Sequence, residues 1–570
     1  MSLHLYNTLS RTLEPFKPLR QDEVKVYYCG PTPYNYAHIG NLRAYLFEDF
    51  VIRTLRFLGY KVRTVMNITD IDDKTIRDSQ KSEKDLKAFT EFYTEAFLAD
   101  LERLGIRKAD IIAPISTLID EMGMMIQWLI DREYAYLAED GSIYYSVSKF
   151  GKYGELAHLD MSGMKSSVRI NNDEYDKDNV ADFALWKAYD ETSDGPNKWE
   201  ITIKIKNSVI PAHVGMESLD SGTSPEWQKQ KIRIKWRPGW HIECSACNHH
   251  FFWDQIDIHM GGIDNLFPHH QNEVAQTEAF TGKQFSKYWL HGGHLLVENK
   301  KMAKSAGNFY TLRDIVEKMN DSVMSTKGDS QYAPCGSTLP WENKQDCSQS
   351  SKWQITPETI IYRGFRLMAL QNQYRENFNF TFERLDAAIN TVKWLDEMMK
   401  RLGRYRNQLL LKGVVWHEGK DWRLLPERNN HGKLRFPEIS REFRDNQQYF
   451  MQEFIEKLED DFDTVWAMTL VFAFQSYVNS GIDSDLFSLE EAKSLISLLQ
   501  SWEEVIGILD FSLLESTIVV PKEIEAIAVA RAEAKIEKHW AEADRIRDEL
   551  KSLGWQMIDE AGGKWRVERV

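Results

Sequence analysis

Cysteine is scarce in this sequence. Five cysteines in 570 residues cannot build the disulfide framework of a small secreted protein, and the odd number leaves at least one unpaired. A reducing, cytoplasmic setting is expected. Long apolar runs are missing as well: no uncharged stretch approaches the ~18 residues a bilayer crossing requires, so no membrane span is expected. The start, Met1 to Phe16, holds charges and a proline where a secretory leader would have a basic stub and an apolar core. Excess positive charge is also absent. Lys and Arg number 71 against 86 Asp and Glu, a formal charge of −15, which excludes a general polyanion binder and confines any nucleic-acid contact to a local groove. There is no repeat at solenoid periods.

What is present describes an ordinary folded chain, with 42% hydrophobic and 28% charged residues. Its length predicts about three to five domains. Val24 to Cys29 is β-prone and runs into the turn composition Gly30-Pro31-Thr32-Pro33. After Gly40, the apolar residues Leu42, Tyr45, Leu46 and Phe50 recur at helical spacing, and Lys61 to Ile68 reads as a second strand. Strand, loop, helix and strand open a parallel sheet, so the fold class expected is a Rossmann-like α/β domain followed by a mostly helical C-terminal half. Residues 81–136 read as helix with a break at Pro114. Alternation at Ile201, Ile203 and Ile205, and at Ile232, Ile234 and Trp236, marks a β-rich insert over about 189–235. Residues 316–356 read as an irregular insert or connection. Helices are predicted beyond Pro357, including Glu358 to Asn377, Phe382 to Leu402, Gln447 to Leu458 and Leu489 to Val505, with one or two charged helices over Lys522 to Leu553.

Two short strings carry chemistry. His38-Ile39-Gly40-Asn41 sits where a loop after a first parallel strand meets a helix N-terminus, a place suited to phosphate. His38 and Asn41 can donate hydrogen bonds there or simply cap the helix, and Gly40 lets a ligand approach the backbone. Lys301-Met302-Ala303-Lys304-Ser305 is a basic loop able to neutralise charge on a triphosphate, or an ordinary solvated lysine pair.

A third constellation involves soft donors. His269 and Glu273 are four residues apart behind Pro268, which is placed to start a helix, so both face one direction. With Cys29 and Cys244 they form a plausible tetrahedral zinc set. The spacing alone equally allows small buried cysteines beside a solvated helix face, or a local cluster of Cys244, Cys247, His249 and His250, although four ligands within seven residues would be crowded.

Together the two nucleotide strings resemble the HIGH and KMSKS signatures of class I aminoacyl-tRNA synthetases, with Asn41 in place of the second His and Ala303 in place of the first Ser. Tyr28 to Thr32, Asn67 to Lys74, Asp182 to Lys187, Arg237 to Ala246 and Phe267 to His270 are similar to cysteinyl-tRNA synthetases in particular. The resemblance covers most of residues 20–188 and 236–315 and returns more weakly near 450–510 and 524–566. It implies a zinc ion, one per chain, on Cys29, Cys244, His269 and Glu273. It also implies that His38, Asn41, Lys301 and Lys304 drive adenylation, that Gly40, Gly262, Asp264, Lys304 and Ser305 hold ATP with its Mg²⁺, and that Thr69 and Trp240 line the amino acid pocket. Cys247 stands where a Met is usual and receives no ligand role.

The implied activity is joining of L-cysteine to tRNA-Cys through cysteinyl-adenylate, by a monomer. Residues 1–315 would be catalytic, 357–445 a helical stem-contact region, 446–515 a helical bundle and 516–570 an anticodon-binding domain, with Lys535, Trp540, Asp544, Asp559 and Trp565 on the anticodon. Lys400, Arg401, Arg404 and Arg406 form a basic run suited to an RNA backbone or to plain solvation. Two other functions stay open: a cysteine-activating ligase that acts on a small-molecule amine, and a zinc-stabilised RNA-binding protein without catalysis. The long tail counts against the first, and the retained His38, Lys301 and Lys304 against the second.

Overall fold

The computed structural model describes residues 3–160, 169–170, 181–189, 195–206, 217–218, 229–253, 255–302, 307–326, 357–412, 427–428, 434–435, 439–515, 522–559 and 565–569. The chain divides into two compact units, one of Met1–Lys393, Asp445–Phe474 and Leu498–Ile508, the other of Trp394–Arg444, Gln475–Ser497 and Leu509–Val570.

The first unit is built on a five-stranded parallel sheet. In spatial order the strands are Ser286–Gly292, Ile256–Gly262, Val24–Tyr28, Val62–Ile68 and Ile111–Pro114. The chain starts in the middle, adds strands on one side, and returns to pair Ile258 with Val26 on the other. That reversal opens a crevice at the carboxyl ends of Val24–Tyr28 and Ile256–Gly262, the place where open α/β sheets bind ligands. Cys29 and Gly262 stand at those two ends.

Helix Ile39–Phe57 follows the first strand and buries almost its whole length, including Leu42, Leu46, Phe50 and Leu55. A second sheet, mainly antiparallel, has the order Trp199–Lys206, Lys229–Pro238, Asp182–Ala188, Ile143–Tyr145 and Ala135–Leu137. Trp199–Lys206 pairs antiparallel with Lys229–Pro238, Trp199 opposite Trp236. Ile201, Ile203 and Ile205 are buried while Thr202 and Lys204 are exposed, the period-2 pattern of a one-sided strand. They pack in one core with Met122, Ile126 and Leu129 of helix Ile119–Asp131 and with Trp186 and Trp289.

The stretch expected to be helical around Pro114 departs from expectation. Ile111–Pro114 is the edge strand of the parallel sheet, paired with Val65 to Ile68. Four residues give no measurable periodicity, so the pairing is decided by the sheet and not by local pattern. Helix Pro357–Leu370 also ends earlier than expected, before the strand Phe378–Phe380, which pairs with Leu295–Val297.

In the second unit, helices Lys522–Ile536 and Trp540–Ser552 and the hairpin Trp555–Asp559/Trp565–Arg569 enclose a small core of Ile524, Ala528, Leu550, Trp555 and Met557. The arginines of the basic run near 400 are engaged inside this unit, Arg406 with the Leu514 carbonyl. Arg401 pairs with Asp483 and Arg404 with Glu397. No helix among the described residues is long and apolar enough to cross a membrane.

Candidate active site and metal centre

A cavity of about 340 Å³ lies in the crevice, and Cys29, His38, Gly40, Asn41, Thr69, Trp240, Cys244, Gly262, Asp264, His269 and Lys301 all line it. Residues separated by more than 260 positions meet here because the two central strands end side by side. Ala303, Lys304 and Ser305 lie outside the described residues, as does the Asp559 side chain.

His38 is the N-cap of helix Ile39–Phe57. Its Nδ1 accepts from the backbone N–H of Gly40 at 3.1 Å and of Asn41 at 3.2 Å, and the Asn41 Oδ1 accepts from the His38 N–H at 3.3 Å. Capping and a role at the ligand are therefore compatible: with Nδ1 used as an acceptor, the neutral ring carries its proton on Nε2. At Gly40 a Cβ would press on the Met302 side chain and on the His38 ring, so glycine leaves both in place. Lys301 Nζ donates to Asp264 Oδ1 at 3.0 Å, and both side chains are mostly exposed. An exposed pair contributes only about 0–1 kcal/mol, so a triphosphate can take the lysine over.

Cys29, Cys244, His269 and Glu273 place one donor atom each within 4.8 Å of one another. Tetrahedral zinc, with Zn–S roughly 2.3 Å and Zn–N roughly 2.0 Å, requires sulfur–sulfur edges of roughly 3.8 Å and sulfur–nitrogen edges of roughly 3.5 Å. The observed edges are 3.8 Å for Cys29 to Cys244, 3.5 Å for Cys29 to His269 and 3.4 Å for Cys244 to His269. The His269–Glu273 edge is shorter, 2.7 Å. The donor set thus fits the ion in chemistry and, on its sulfur edges, in size. A second group, Cys29, His259, His270 and Glu273, also gathers within 4.8 Å and shares Cys29 and Glu273 with the first.

The four donors perturb one another's charges. Burial works against a charged His269, yet Glu273 and Cys244 outweigh it and push its pKa up to about 10. Burial likewise opposes ionised Glu273, but His259 and His269 hold its carboxyl well below the usual carboxylate range. The Cys29 thiol is pushed up, first by its contact with Cys244 and then by burial, whereas Cys244 is lowered, its contacts with Cys29 and His269 prevailing over burial.

Several supporting residues had no role assigned from sequence. His259 Nε2 meets the outer oxygen of Glu273 at 2.7 Å, and His241 Nδ1 meets His269 Nδ1 at 3.1 Å. Both orient donors from behind. His270 Nδ1 lies 2.8 Å from His291 Nε2, whose Nδ1 reaches Thr8 Oγ1 at 2.9 Å. A buried polar chain forms the floor: Tyr27 O–H donates to Asn67 Oδ1, Asn67 Nδ2 to Thr69 Oγ1, and Thr69 O–H to Glu243 Oε2, at 3.0, 3.1 and 3.0 Å. Burial raises Glu243 well above the usual range. Arg43, two residues past Asn41, is buried and, among the described residues, donates to the carbonyl oxygens of Gly293, Tyr374 and Glu376, which fixes the Gly293 wall of the cavity. For the histidines, Arg43 and Glu243 the sequence signal was a charged or imidazole side chain among apolar neighbours.

The helix expected from Pro268 starts at Gln271 and is entered through the turn Leu266–His270, with Phe267 in extended backbone, as the residue before a proline prefers. His269 and Glu273 still converge.

Gly30 shows how tightly Cys29 is set. Its N–H donates to Asn67 Oδ1 at 2.8 Å, and a Cβ on it would overlap the Asn67 carbonyl oxygen. Gly30→Ala is therefore expected to lower stability by about 1–3 kcal/mol and to displace Cys29. Urea unfolding, with zinc counted per purified chain, measures both effects.

In the second unit, the tail residues have mixed placements. Trp540 is exposed, Asp544 pairs with Arg547, Lys535 is half-buried, and Trp565 packs against the small core.

Residues 15–202 and 221–328 match the family model of the tRNA synthetases class I (C) catalytic domain, and residues 453–510 match the DALR domain. The cysteine--tRNA ligase of Chlamydia muridarum (strain MoPn / Nigg) is 37% identical over 578 residues, covering 100% of both chains. That of Protochlamydia amoebophila (strain UWE25) is 34% identical, covering 98% of this chain and 97% of its own. The LeuRS of Agrobacterium radiobacter K84, solved in a ternary complex with tRNA and LeuAMS, has a TM-score of 0.54 over 88% of this chain and 86% of its own at 9% identity, a likeness of fold alone. The parallel sheet, the convergent site and these full-length relatives together show that the chain belongs to the cysteine--tRNA ligase family of class I synthetases.

Proposed function

We propose that the protein activates L-cysteine with ATP and transfers it to the 3′ end of tRNA-Cys. The observation that carries this reading is the meeting of two thiols, an imidazole and a carboxylate at one end of a cavity whose other walls hold His38, Gly40 and Lys301. The cysteine carboxylate oxygen attacks the α-phosphorus of ATP, the bond to the bridging oxygen breaks, and pyrophosphate leaves with the electron pair. This step needs no protein nucleophile, so the chain contributes position and charge. His38 offers its Nε2–H to the phosphates, Asn41 fixes His38, and Lys301, released from Asp264, neutralises the leaving group together with Lys304. Gly262, Asp264 and Ser305 hold the nucleotide, and Mg²⁺ arrives as part of the ATP complex.

Cys29, Cys244, His269 and Glu273 would hold one zinc ion, which when bound supplies a soft Lewis acid for the substrate sulfur. Serine differs from cysteine by one atom, and an apolar pocket separates such near-isosteres by only ~1–3 kcal/mol. A serine hydroxyl barely ionises at neutral pH and is a poor partner for soft donors. Thr69 and Trp240 shape the rest of the amino acid pocket, Trp240 stacking on the His269 ring at 4.2 Å.

The tail and the full-length match to the relatives favour tRNA over a small-molecule amine as acceptor. In this reading residues 1–315 carry catalysis, 357–445 meet the acceptor stem, 446–515 form a bundle, and 516–570 take the anticodon through Lys535, Trp540, Asp544, Asp559 and Trp565. The enzyme works as a cytoplasmic monomer. Purified protein should exchange pyrophosphate into ATP when cysteine is present, remain nearly inert with serine, and charge tRNA-Cys. Exchange that persists unchanged after zinc is stripped would refute the selectivity account, and failure to charge tRNA-Cys would refute the acceptor.

A further inference from the structure

Helix Ile39–Phe57 turns one face to the active-site cavity. Asn41, Ala44 and Glu48 follow one another at i, i+3 and i+7 and all line it. They are exposed, half-buried and buried in that order, so the cavity deepens along the helix from a mouth at its N-terminus to a floor at Glu48. Glu48 is 2% exposed, and its Oε2 is buried without a hydrogen-bond partner among the described residues. Such a group costs stability unless something pairs with it. The next residue, Asp49, is matched by Arg53 and Arg366, whereas burial alone acts on Glu48 and pushes its carboxyl well above the usual carboxylate range. At neutral pH it therefore keeps its proton and offers one donor beside one acceptor.

The position suits the base of a nucleotide. Phosphate docks at a helix N-terminus, here at His38 and Gly40, and Glu48 lies about 12 Å beyond Gly40 along the helix axis. That is the reach of a nucleotide from its phosphates to the far edge of its base. Ala44, Gly293, Leu295 and Met302 line the same cavity, small or apolar residues against which a flat purine can lie. Adenine carries a ring-nitrogen acceptor beside its 6-amino donor, a pattern that a side-chain amide reads as a pair. A neutral carboxyl carries the same donor and acceptor.

We propose that Glu48 reads the base of ATP, pairing with the 6-amino group and the neighbouring ring nitrogen of an adenine laid along this helix face. The assignment rests on the function proposed above, which requires ATP in this cavity, and adds a residue that selects the nucleotide. Its part is binding, since the α-phosphorus reacts at the other end of the nucleotide.

The test compares ATP with purine riboside triphosphate, which lacks only the 6-amino group, in cysteine-dependent pyrophosphate exchange. In the parent, kcat/KM is expected to be about 10- to 100-fold higher for ATP, the range of a hydrogen bond whose loss leaves a buried partner unpaired. Glu48→Leu fills the space without polar atoms, and its preference is expected to fall to within about threefold through loss of activity with ATP. Glu48→Gln keeps a donor and an acceptor and retains most of the preference. The KM for cysteine stays within about twofold of the parent in both. Because the ratio is taken within each variant, a partial loss of folded protein does not move it, and the parent comparison needs no variant. Equal use of the two triphosphates by the parent would overturn the assignment, as would an undiminished preference in Glu48→Leu or a loss in Glu48→Gln as complete as that in Glu48→Leu. A rise in the KM for cysteine in place of the fall in preference would assign Glu48 to the amino acid pocket and also overturn it. A parent inactive with both triphosphates would overturn the underlying function, and this assignment with it.

Discussion

Serine in place of Cys29 is expected to remove the metal and the affinity for cysteine in one step. The substitution keeps the shape of the side chain and exchanges a soft, ionisable donor for a hydroxyl that stays protonated at neutral pH. Cys29 takes part in both sulfur–nitrogen and sulfur–sulfur edges of the donor set, at 3.5 Å to His269 and 3.8 Å to Cys244, and the turn at Gly30 gives the backbone no room to bring a shorter side chain closer. Loss of an outer partner of a metal ligand already costs about 10–100-fold in affinity, so loss of a ligand should exceed that. Zinc per chain is expected to fall well below one, and the KM for cysteine in pyrophosphate exchange to rise more than about 100-fold, while ATP binding, proposed above for residues on the other walls, stays near the parent value. A variant that retains one zinc per chain with an unchanged cysteine KM would show that the thiol at 29 is not a ligand.

The residues that give this site its character were legible where chemistry follows from residue type. A thiol closing a strand, a His and a Glu four apart, and a His-x-Gly string at a helix start each allow a plain structural reading when taken singly, and their roles came from the family resemblance; the sheet order explains how they meet, since Val24–Tyr28 and Ile256–Gly262 are neighbours although some 230 residues separate them. The supporting layer was not legible. His259, His241 and Arg43 act through partners 14 to 333 residues away, and no local spacing encodes such pairs; Asn67 joins Thr69 two residues on to Tyr27, 40 residues back. The strand Ile111–Pro114 escaped for a related reason: four residues take their conformation from the neighbour they pair with. In the tail, Trp565 illustrates the opposite difficulty, since an aromatic residue that packs against a small core looks the same in sequence as one held out for a base.

Asparagine in place of Asp49 is expected to produce the largest loss of stability in the first unit. Asp49 lies about three turns along the helix that His38 caps, and its Oδ2 receives Arg53 Nε and Arg366 Nη2, both at 2.7 Å, while Oδ1 accepts the Arg107 N–H at 3.0 Å. The side chains of Asp49 and Arg366 are each 1% exposed. Arg366 also donates to the Ile506 carbonyl at 2.7 Å and, at longer range, to that of Leu104, so one carboxylate neutralises two guanidinium groups that tie three segments together. The neutral amide of Asp49→Asn would leave both cations buried without a counter-charge, a change that costs about 3–5 kcal/mol when one partner of a buried pair is removed. Arg366→Met should cost less, because Arg53 still balances Asp49. The pair Asp49→Leu with Arg366→Met should be milder than the sum of the singles, since it removes opposite charges together. The pH dependence has a definite sign. Burial would raise the Asp49 pKa, but Arg366 and Arg53 prevail and hold it below its usual value. Its contribution is therefore fully present above the unfolded carboxylate value of about 3.9 and is lost as pH falls through the lower folded value. Urea unfolding should show the full gap between parent and Asp49→Asn at pH 7 and a closing gap only in acid below that range. A gap of the same size throughout would mean that Asp49 acts through packing and not through its charge.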